Sequence, residues 1–242
     1  MKLGILADIH SNLEALRCVL GALKDIDGYL CPGDIVGYGP NPNECIEIVR
    51  ELRCGAVAGN HDLACIGILD PRRFTEDARE AVSWTINMLT EDNRKFLETL
   101  PLRLEGDGFE MVHGSLRNPA EEYIIGLKDG AATIELMKKE ICFVGHLHTS
   151  LVIVKDKAGK YDGWQLNDGD MVDTTKFDKV VINVGGVGQP RDMDPRASFG
   201  IYDTEKHTVE IRKVEYNIIA VQEKMRKANL PDFLIERLKY GR

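Results

Sequence analysis

The chain has 242 residues, 43% hydrophobic and 29% charged, a size at which folding buries roughly 70–75% of the unfolded surface without help from disulfides or a structural metal. Asp plus Glu number 39 against 31 Lys plus Arg, and the net charge of −8 excludes attachment to duplex nucleic acid by broad phosphate neutralisation, though not a nucleotide at a local cationic site. No run nears the roughly 20 apolar residues of a membrane span, and the N-terminus meets Asp8 too soon for a signal-peptide core, so the chain reads as cytoplasmic.

Lys2 to Ala7 is a short apolar run that stops at a carboxylate. Ser11 or Asn12 caps the helix that follows, with Leu13, Leu16, Leu20 and Leu23 as its apolar stripe. Tyr29 to Cys31 reads as a strand ending at Pro32-Gly33-Asp34, Pro42 to Arg53 as a helix with Pro in its first turn, and Ala56 to Ala58 as a third strand ending at Gly59-Asn60. Two such βα repeats and a strand predict a parallel sheet with helices on its faces. The middle is helical: Thr75 caps Glu76 to Leu89, and Thr90 caps Glu91 to Leu100. Strands return at Phe109 to Val112, Ile141 to Val144, Leu151 to Val154, Val180 to Val184, Phe199 to Asp203 and Thr208 to Val214. Asp129 is expected to cap a helix through Lys139, and the polar stretch 155–178 is expected to be a hairpin or surface insertion. Residues 217–238 read as amphipathic helices broken at Pro231, a C-terminal helical extension. There is no repeat and no flexible linker, which favours one domain over 1–242 with residues 63–101 as a helical insertion or lid. The six cysteines form no CxxC pair and read as buried thiols, with a redox site as the alternative.

Five of the six histidines stand beside a glycine or carboxylate at a predicted strand end. These ends read Asp8-Ile9-His10, Gly33-Asp34, Gly59-Asn60-His61-Asp62, His113-Gly114 and Gly145-His146-Leu147-His148. In an α/β sheet, ligands gather beyond the carboxyl ends of the strands, so the five fragments can converge on one crevice. Neutral imidazoles and carboxylates together suit borderline divalent metals. His207, outside this set, is expected on a surface strand; Trp84 is expected in helix packing, and Trp164 is free to stack a base.

In this order the fragments resemble the signature of calcineurin-like metallophosphoesterases. Asp8-Ile9-His10-Ser11-Asn12-Leu13-Glu14-Ala15-Leu16 and Gly188-Gln189-Pro190-Arg191-Asp192 add a closer similarity to bacterial and archaeal proteins grouped with diadenosine tetraphosphatases. The resemblance implies an α/β fold, a two-sheet β-sandwich flanked by helices in four layers. It implies two divalent transition metal ions, manganese foremost, with iron, nickel, cobalt or zinc as alternatives. Asp8, His10, Asp34 and His148 would hold one ion; Asp34, Asn60, His113 and His146 would hold the other, with Asp34 shared. Ions roughly 3.5–4 Å apart can supply a metal-activated hydroxide in line with phosphorus. His61 would be the general acid and Asp62 would orient its ring.

Two departures bear on substrate. Protein phosphatases of this superfamily carry an Arg soon after Gly-Asp and a Glu after the general-acid His, where this chain has Ile35-Val36-Gly37-Tyr38-Gly39 and Asp62. Arg191 has two readings, a phosphate clamp or a salt bridge to Asp192 or Asp194. Asn12 likewise either touches phosphate or caps its helix. The expected function is hydrolysis of a phosphodiester, nucleotide, dinucleoside polyphosphate or small phosphomonoester, with no stable nucleic acid and no membrane as partner. The alternative is a regulatory scaffold of the same fold that binds metal or nucleotide with little or no turnover.

Overall fold

Each short apolar segment that stops at a glycine or carboxylate forms a strand in the computed structural model, which describes residues 1–242. The chain opens with β1 (Lys2–Ile5), α1 (Leu13–Ala22), β2 (Gly28–Cys31), α2 (Pro42–Glu51), β3 (Gly55–Ala56) and α3 (Asn60–Cys65). A 3-10 turn at Pro71–Arg73 leads to α4 (Glu76–Met88) and α5 (Glu91–Glu98). Next come β4 (Arg103–Glu105), β5 (Phe109–Val112), α6 (Leu127–Ile134), β6 (Ile141–Val144), β7 (Ser150–Asp156), β8 (Tyr161–Gln165), β9 (Met171–Asp173) and β10 (Phe177–Val184). The chain ends with β11 (Ala197–Asp203), β12 (Thr208–Val214), α7 (Ile218–Lys227) and α8 (Asp232–Arg237), the last two parted at Pro231.

N-cap side chains start three of the eight α-helices. The Asn12 side chain accepts from the Ala15 amide at 3.1 Å, Thr90 from Asn93, and Asn217 from Ala220. Thr75 sits at the start of α4 without a side-chain bond. Asp129 lies in the first turn of α6, after Gly126, and that helix stops at Ile134 instead of running to Lys139. The buried stripe of α1 is Leu13, Ala15, Leu16 and Val19; Leu20 is only half-buried.

The strands form two six-stranded sheets, ordered β3-β2-β1-β11-β12-β9 and β4-β5-β6-β10-β7-β8. Both are mixed. β1, β2 and β3 run parallel as the βα repeats require, but β11 joins β1 antiparallel, so the sheet is not purely parallel. The stretch 155–178 completes the β7–β8 hairpin, then sends β9 across to pair with β12 in the other sheet. His207 sits in the turn before β12 with a left-handed φ of 53°, and its carbonyl accepts from the Thr174 amide and hydroxyl.

Three apolar clusters make four layers. One lies between the sheets and includes Ile5, Met111, Phe143 and Ile211; a second joins the first sheet to α1, α2, α4, α5, α7 and α8; a third joins the other sheet to α6. Phe143 is fully buried with its ring centroid 5.5 Å from that of Tyr202, so its truncation to Ala costs about 3–5 kcal/mol. This core holds the carboxyl ends of β1, β2, β3, β5 and β6 side by side.

Candidate metal centre and cleft

The loops leaving these strand ends place Asp8, His10, Asp34 and His148 in one group and Asp34, His113 and His146 in another. Within each group the ligand atoms lie within 4.8 Å of one another. Asn60, at the start of α3, adds its Oδ1 3.1 Å from His113 Nε2. One oxygen stands between the groups: Asp34 Oδ2 is 3.5 Å from His10 Nε2 and 3.4 Å from His113 Nε2. The other Asp34 oxygen accepts from the His61 amide at 2.9 Å, which fixes the carboxylate's rotation.

The tautomers follow from the outer nitrogens. His10 Nδ1 meets the Val36 carbonyl, His113 Nδ1 the Pro32 carbonyl, His148 Nδ1 the Gln189 carbonyl and His146 Nε2 the Glu121 carbonyl. Carbonyls only accept, so these nitrogens carry the protons, and in the neutral rings the inner nitrogens present lone pairs. Those inner atoms face each other, His10 Nε2 to His148 Nε2 and His113 Nε2 to His146 Nδ1, each at 3.1 Å. Asp8 Oδ2 is buried with no partner at all. Converging lone pairs and an orphaned carboxylate oxygen are what divalent cations satisfy, and the donor set fits them.

The electrostatics agree. Burial holds His10 and His148 well below their ordinary value, and takes His146 to about 3 and His61 to about 4. Burial also raises Asp8 to about 7. At His113 burial works downward, but the carboxylates of Asp34 and Asp8 overcome it and lift the ring to about 9. Burial likewise opposes charge on Asp34, yet His113, His61 and His10 around it keep the carboxyl well below its usual range. The buried carboxylates of Asp34 and Asp8 thus call for positive charge at this point, which a bound cation would supply.

The backbone is strained here. Asp8, His10, Ser11, Asp34, Tyr38, His146 and His148 all have φ between 36° and 68°, the left-handed region that residues with a Cβ avoid. Such strain persists only where surrounding contacts over-determine it, and here the strand ends and buried imidazoles supply them.

Asp34, Asn60, His146 and His148 form the floor of a cleft of about 200 Å³, and His61 lines it beside them. Its walls include Phe74, Arg73, Glu121, Tyr123, Tyr38 and Arg191. Arg73 bridges to Glu121 at 2.9 Å. The Tyr123 ring stacks on His146 with centroids 3.7 Å apart. Arg191 Nη2 donates to Gln189 Oε1 at 2.9 Å and to the Tyr38 hydroxyl at 3.3 Å. Asp192 and Asp194 do not pair with it: Lys213 takes Asp192 at 2.6 Å and Arg196 takes Asp194 at 2.8 Å. Of the two readings of Arg191, the salt bridge is therefore the one that fails.

Two expected roles change. Asp62 does not orient the His61 ring; its oxygens accept from the amides of Val36 and Gly59, at 3.0 and 2.9 Å, because at the third position of α3 its carboxylate caps the helix. His61 Nδ1 has no partner. Asn12 is spent on structure, its carbonyl capping α1 and its amide donating to the Gly188 carbonyl at 2.8 Å, so it does not touch the cleft floor. Trp84 packs against the helical core, and Trp164 stands exposed on β8, outside the cleft. All six cysteines are unpaired. Sequence reasoning missed Tyr38, Tyr123, Arg73, Phe74 and Glu121; only the Gly37-Tyr38-Gly39 spacing beside Asp34 offered a signal for any of them.

Residues 1–207 match the calcineurin-like phosphoesterase superfamily domain. The chain belongs to this family. This metallophosphoesterase is 41% identical to a metallophosphoesterase from Sphaerobacter thermophilus, each chain covered over 100% of its length, with a TM-score of 0.91. It is 39% identical to an uncharacterised protein of Methanocaldococcus jannaschii over 99% of this chain and 98% of that one. A protein of Pyrococcus horikoshii shares the fold, with a TM-score of 0.82 at 22% identity over 100% of this chain and 98% of that one. No helix of this metallophosphoesterase is long and apolar enough to cross a membrane.

Proposed function

We propose that this protein is a dinuclear metal-dependent phosphohydrolase of a phosphodiester, nucleotide or other small phosphoester. The observation that carries the reading is the set of inward lone pairs, with Asp34 Oδ2 standing between the two groups. Asp8, His10, Asp34 and His148 would hold one ion, and Asp34, Asn60, His113 and His146 the other. When bound, such ions supply a nucleophilic hydroxide at neutral pH and neutralise phosphoryl oxygens. Manganese, iron, nickel, cobalt and zinc all suit this donor set.

The chain's own residues supply the rest. His61 lines the cleft beside the floor and gives its proton to the leaving oxygen. Burial leaves that ring neutral in the free protein, and the negative charge of a bound phosphoryl group draws the proton on. Arg191, with no carboxylate partner, grips the part of the substrate that the ions do not. Residues 63–101 act as one wall of the site through Leu69, Phe74, Thr75 and Ala78. At about 200 Å³ the cleft falls below the roughly 300–1,000 Å³ usual for drug-sized ligands. It suits one phosphoryl group and a compact neighbour, so a dinucleoside polyphosphate would extend past the mouth.

The test is a panel of nitrophenyl phosphomonoester and diester, a nucleotide, a dinucleoside polyphosphate and a phosphoserine peptide, assayed with Mn, Ni, Co, Zn and Mg. Phosphodiesters or nucleotides are expected to lead in kcat/KM, and strong chelation to abolish turnover. Absence of metal-dependent turnover on every ester favours the scaffold reading. A phosphoserine peptide as best substrate overturns the substrate class alone.

A further inference from the structure

Asp62 is committed to backbone amides and His61 Nδ1 has no partner, so no hydrogen bond to its ring sets the angle of the His61 imidazole. What surrounds that ring is aromatic. Tyr38 lies 4.3 Å away, centroid to centroid; His10 and Phe74 each lie at 4.9 Å, near edge-on. Tyr38 also packs on His10 at 4.5 Å, and its hydroxyl accepts from Arg191. One side chain therefore touches a ring of the metal centre, the ring read as proton donor, and the cation read as substrate clamp.

The chain gives up conformational freedom to put it there. Tyr38 has φ of 36°, a left-handed conformation that costs a bulky residue about 1–3 kcal/mol. Its neighbours are glycines for a visible reason. A Cβ on Gly37 would stand 2.5 Å from His61 Nδ1, and one on Gly39 would stand 2.4 Å from the His10 carbonyl oxygen. The turn is pressed against both histidines, and only glycines on either side let it come that close.

We propose that Tyr38 is a positioning residue with two separable actions: its ring holds His61 at the angle for proton transfer, and its hydroxyl holds Arg191 toward the substrate. This rests on the reading of His61 as proton donor. Loss of the ring lets the imidazole turn, which costs most where the leaving oxygen needs a proton. Loss of the hydroxyl leaves the guanidinium to its Gln189 bond and to the ring face 5.7 Å below it, a looser hold that costs binding.

The test uses the metal-loaded full chain and two esters of the same phosphate, a p-nitrophenyl ester and an alkyl ester, with bound metal measured for every variant. His61→Ala is expected to lose about 10²–10⁴-fold in kcat on the alkyl ester and little on the nitrophenyl ester. Tyr38→Leu is expected to lose about 10-fold or more on the alkyl ester and under about 2-fold on the nitrophenyl ester. Added to His61→Ala, Tyr38→Leu is expected to cost nothing further in kcat, since residues that act through one another are not additive. Tyr38→Phe keeps the ring and is expected to keep both kcat values while raising KM for a nucleotide, the substrate that Arg191 is read to grip, by about 3-fold. Equal loss of kcat on the two esters in Tyr38→Leu, or added loss of kcat on the His61→Ala background, overturns the positioning role. Should Tyr38→Leu lose metal, Tyr38→Phe still decides: a changed ratio of the two kcat values, or an unchanged KM for the nucleotide, overturns the proposal. If His61→Ala itself affects both esters alike, the proton-donor reading falls and takes Tyr38 with it. If only the Tyr38 variants miss their pattern, the proton-donor reading stands without Tyr38.

Discussion

On the floor of the cleft every metal-facing side chain is at most 7% exposed, and four imidazoles each spend their outer nitrogen on a backbone carbonyl; on the walls Arg73 is 63% exposed along its side chain and meets Glu121 through a single ion pair. The floor is held by strand ends and by buried hydrogen bonds that nothing in solvent can replace. The walls are held by contacts that water and salt weaken. Preorganised donors belong where charge develops, and adjustable groups where substrates differ. The contrast teaches that chemistry and selectivity are separable here. Changes on the floor should abolish turnover on all substrates, and changes on the walls should reorder them.

The largest effect is expected at Asp34. Its Oδ2 faces both ligand groups, while Asp8 faces chiefly one. Asp34→Asn is expected to lose metal from both positions and about 10³-fold or more in turnover, and Asp8→Asn to lose less metal. Metal analysis of the two purified variants decides it. Full occupancy in Asp34→Asn would place the shared ligand elsewhere.

The next effect is in stability. His61 is fully buried and titrates at about 4 in the folded chain against about 6.5 unfolded. At pH 5 the unfolded chain therefore holds a proton that the folded chain does not, so stability falls as pH drops from about 6.5 to 4. The slope is up to about 1.4 kcal/mol per pH unit from this group. His61→Ala should flatten denaturation midpoints across that window by this amount and leave them parallel to the parent above pH 7. An unchanged slope would mean that the ring is not neutral in the fold.

Much of the floor was legible because its residue types are costly to place anywhere else: buried carboxylates and imidazoles at strand ends have few uses besides a cation. The βα repeats were legible for the same kind of reason, since Leu13, Leu16, Leu20 and Leu23 recur at helical spacing between short apolar runs, although the fold buries Val19 more fully than Leu20. Other features were hidden. A carboxylate beside a histidine reads as its partner, yet the first turn of α3 turned Asp62 toward two amides. Asn12 had two readings until the Gly188 carbonyl claimed its amide. Tyr38 between glycines reads as a turn, and only the fold brings it under Arg191, 153 residues away. The crossing of β9 to the other sheet is a long-range pairing, and no local pattern specifies it.

Arg191 joins floor and wall, and its effect should be intermediate. Its side chain has no carboxylate partner, and its nearest bonds go to Gln189 and Tyr38. Arg191→Ala is expected to raise KM for a nucleotide by about 10-fold and for a minimal nitrophenyl ester by under about 2-fold. Equal shifts for the two would move Arg191 from selectivity to the common phosphoryl site.

The smallest effect is expected where the wall is weakest. Arg73 and Glu121 both line the cleft, and their ion pair joins the 3-10 turn before α4 to the loop that carries Tyr123. Exposed pairs contribute about 0–1 kcal/mol, so an incoming anion can displace Glu121 from Arg73 at little cost. Glu121→Gln removes the competing carboxylate and should lower KM for an anionic substrate by about 2–3-fold, while Arg73→Ala should raise it by a similar factor. Both shifts should shrink as salt rises, because the Debye length falls from about 10 Å at 0.1 M to about 3 Å at 1 M. The Glu121 carbonyl that receives His146 Nε2 is backbone and survives either change, so bound metal should stay at the parent level. A loss near 10²-fold in either variant, or a loss of metal, would show that this wall is part of the floor and that the two regions are not separable.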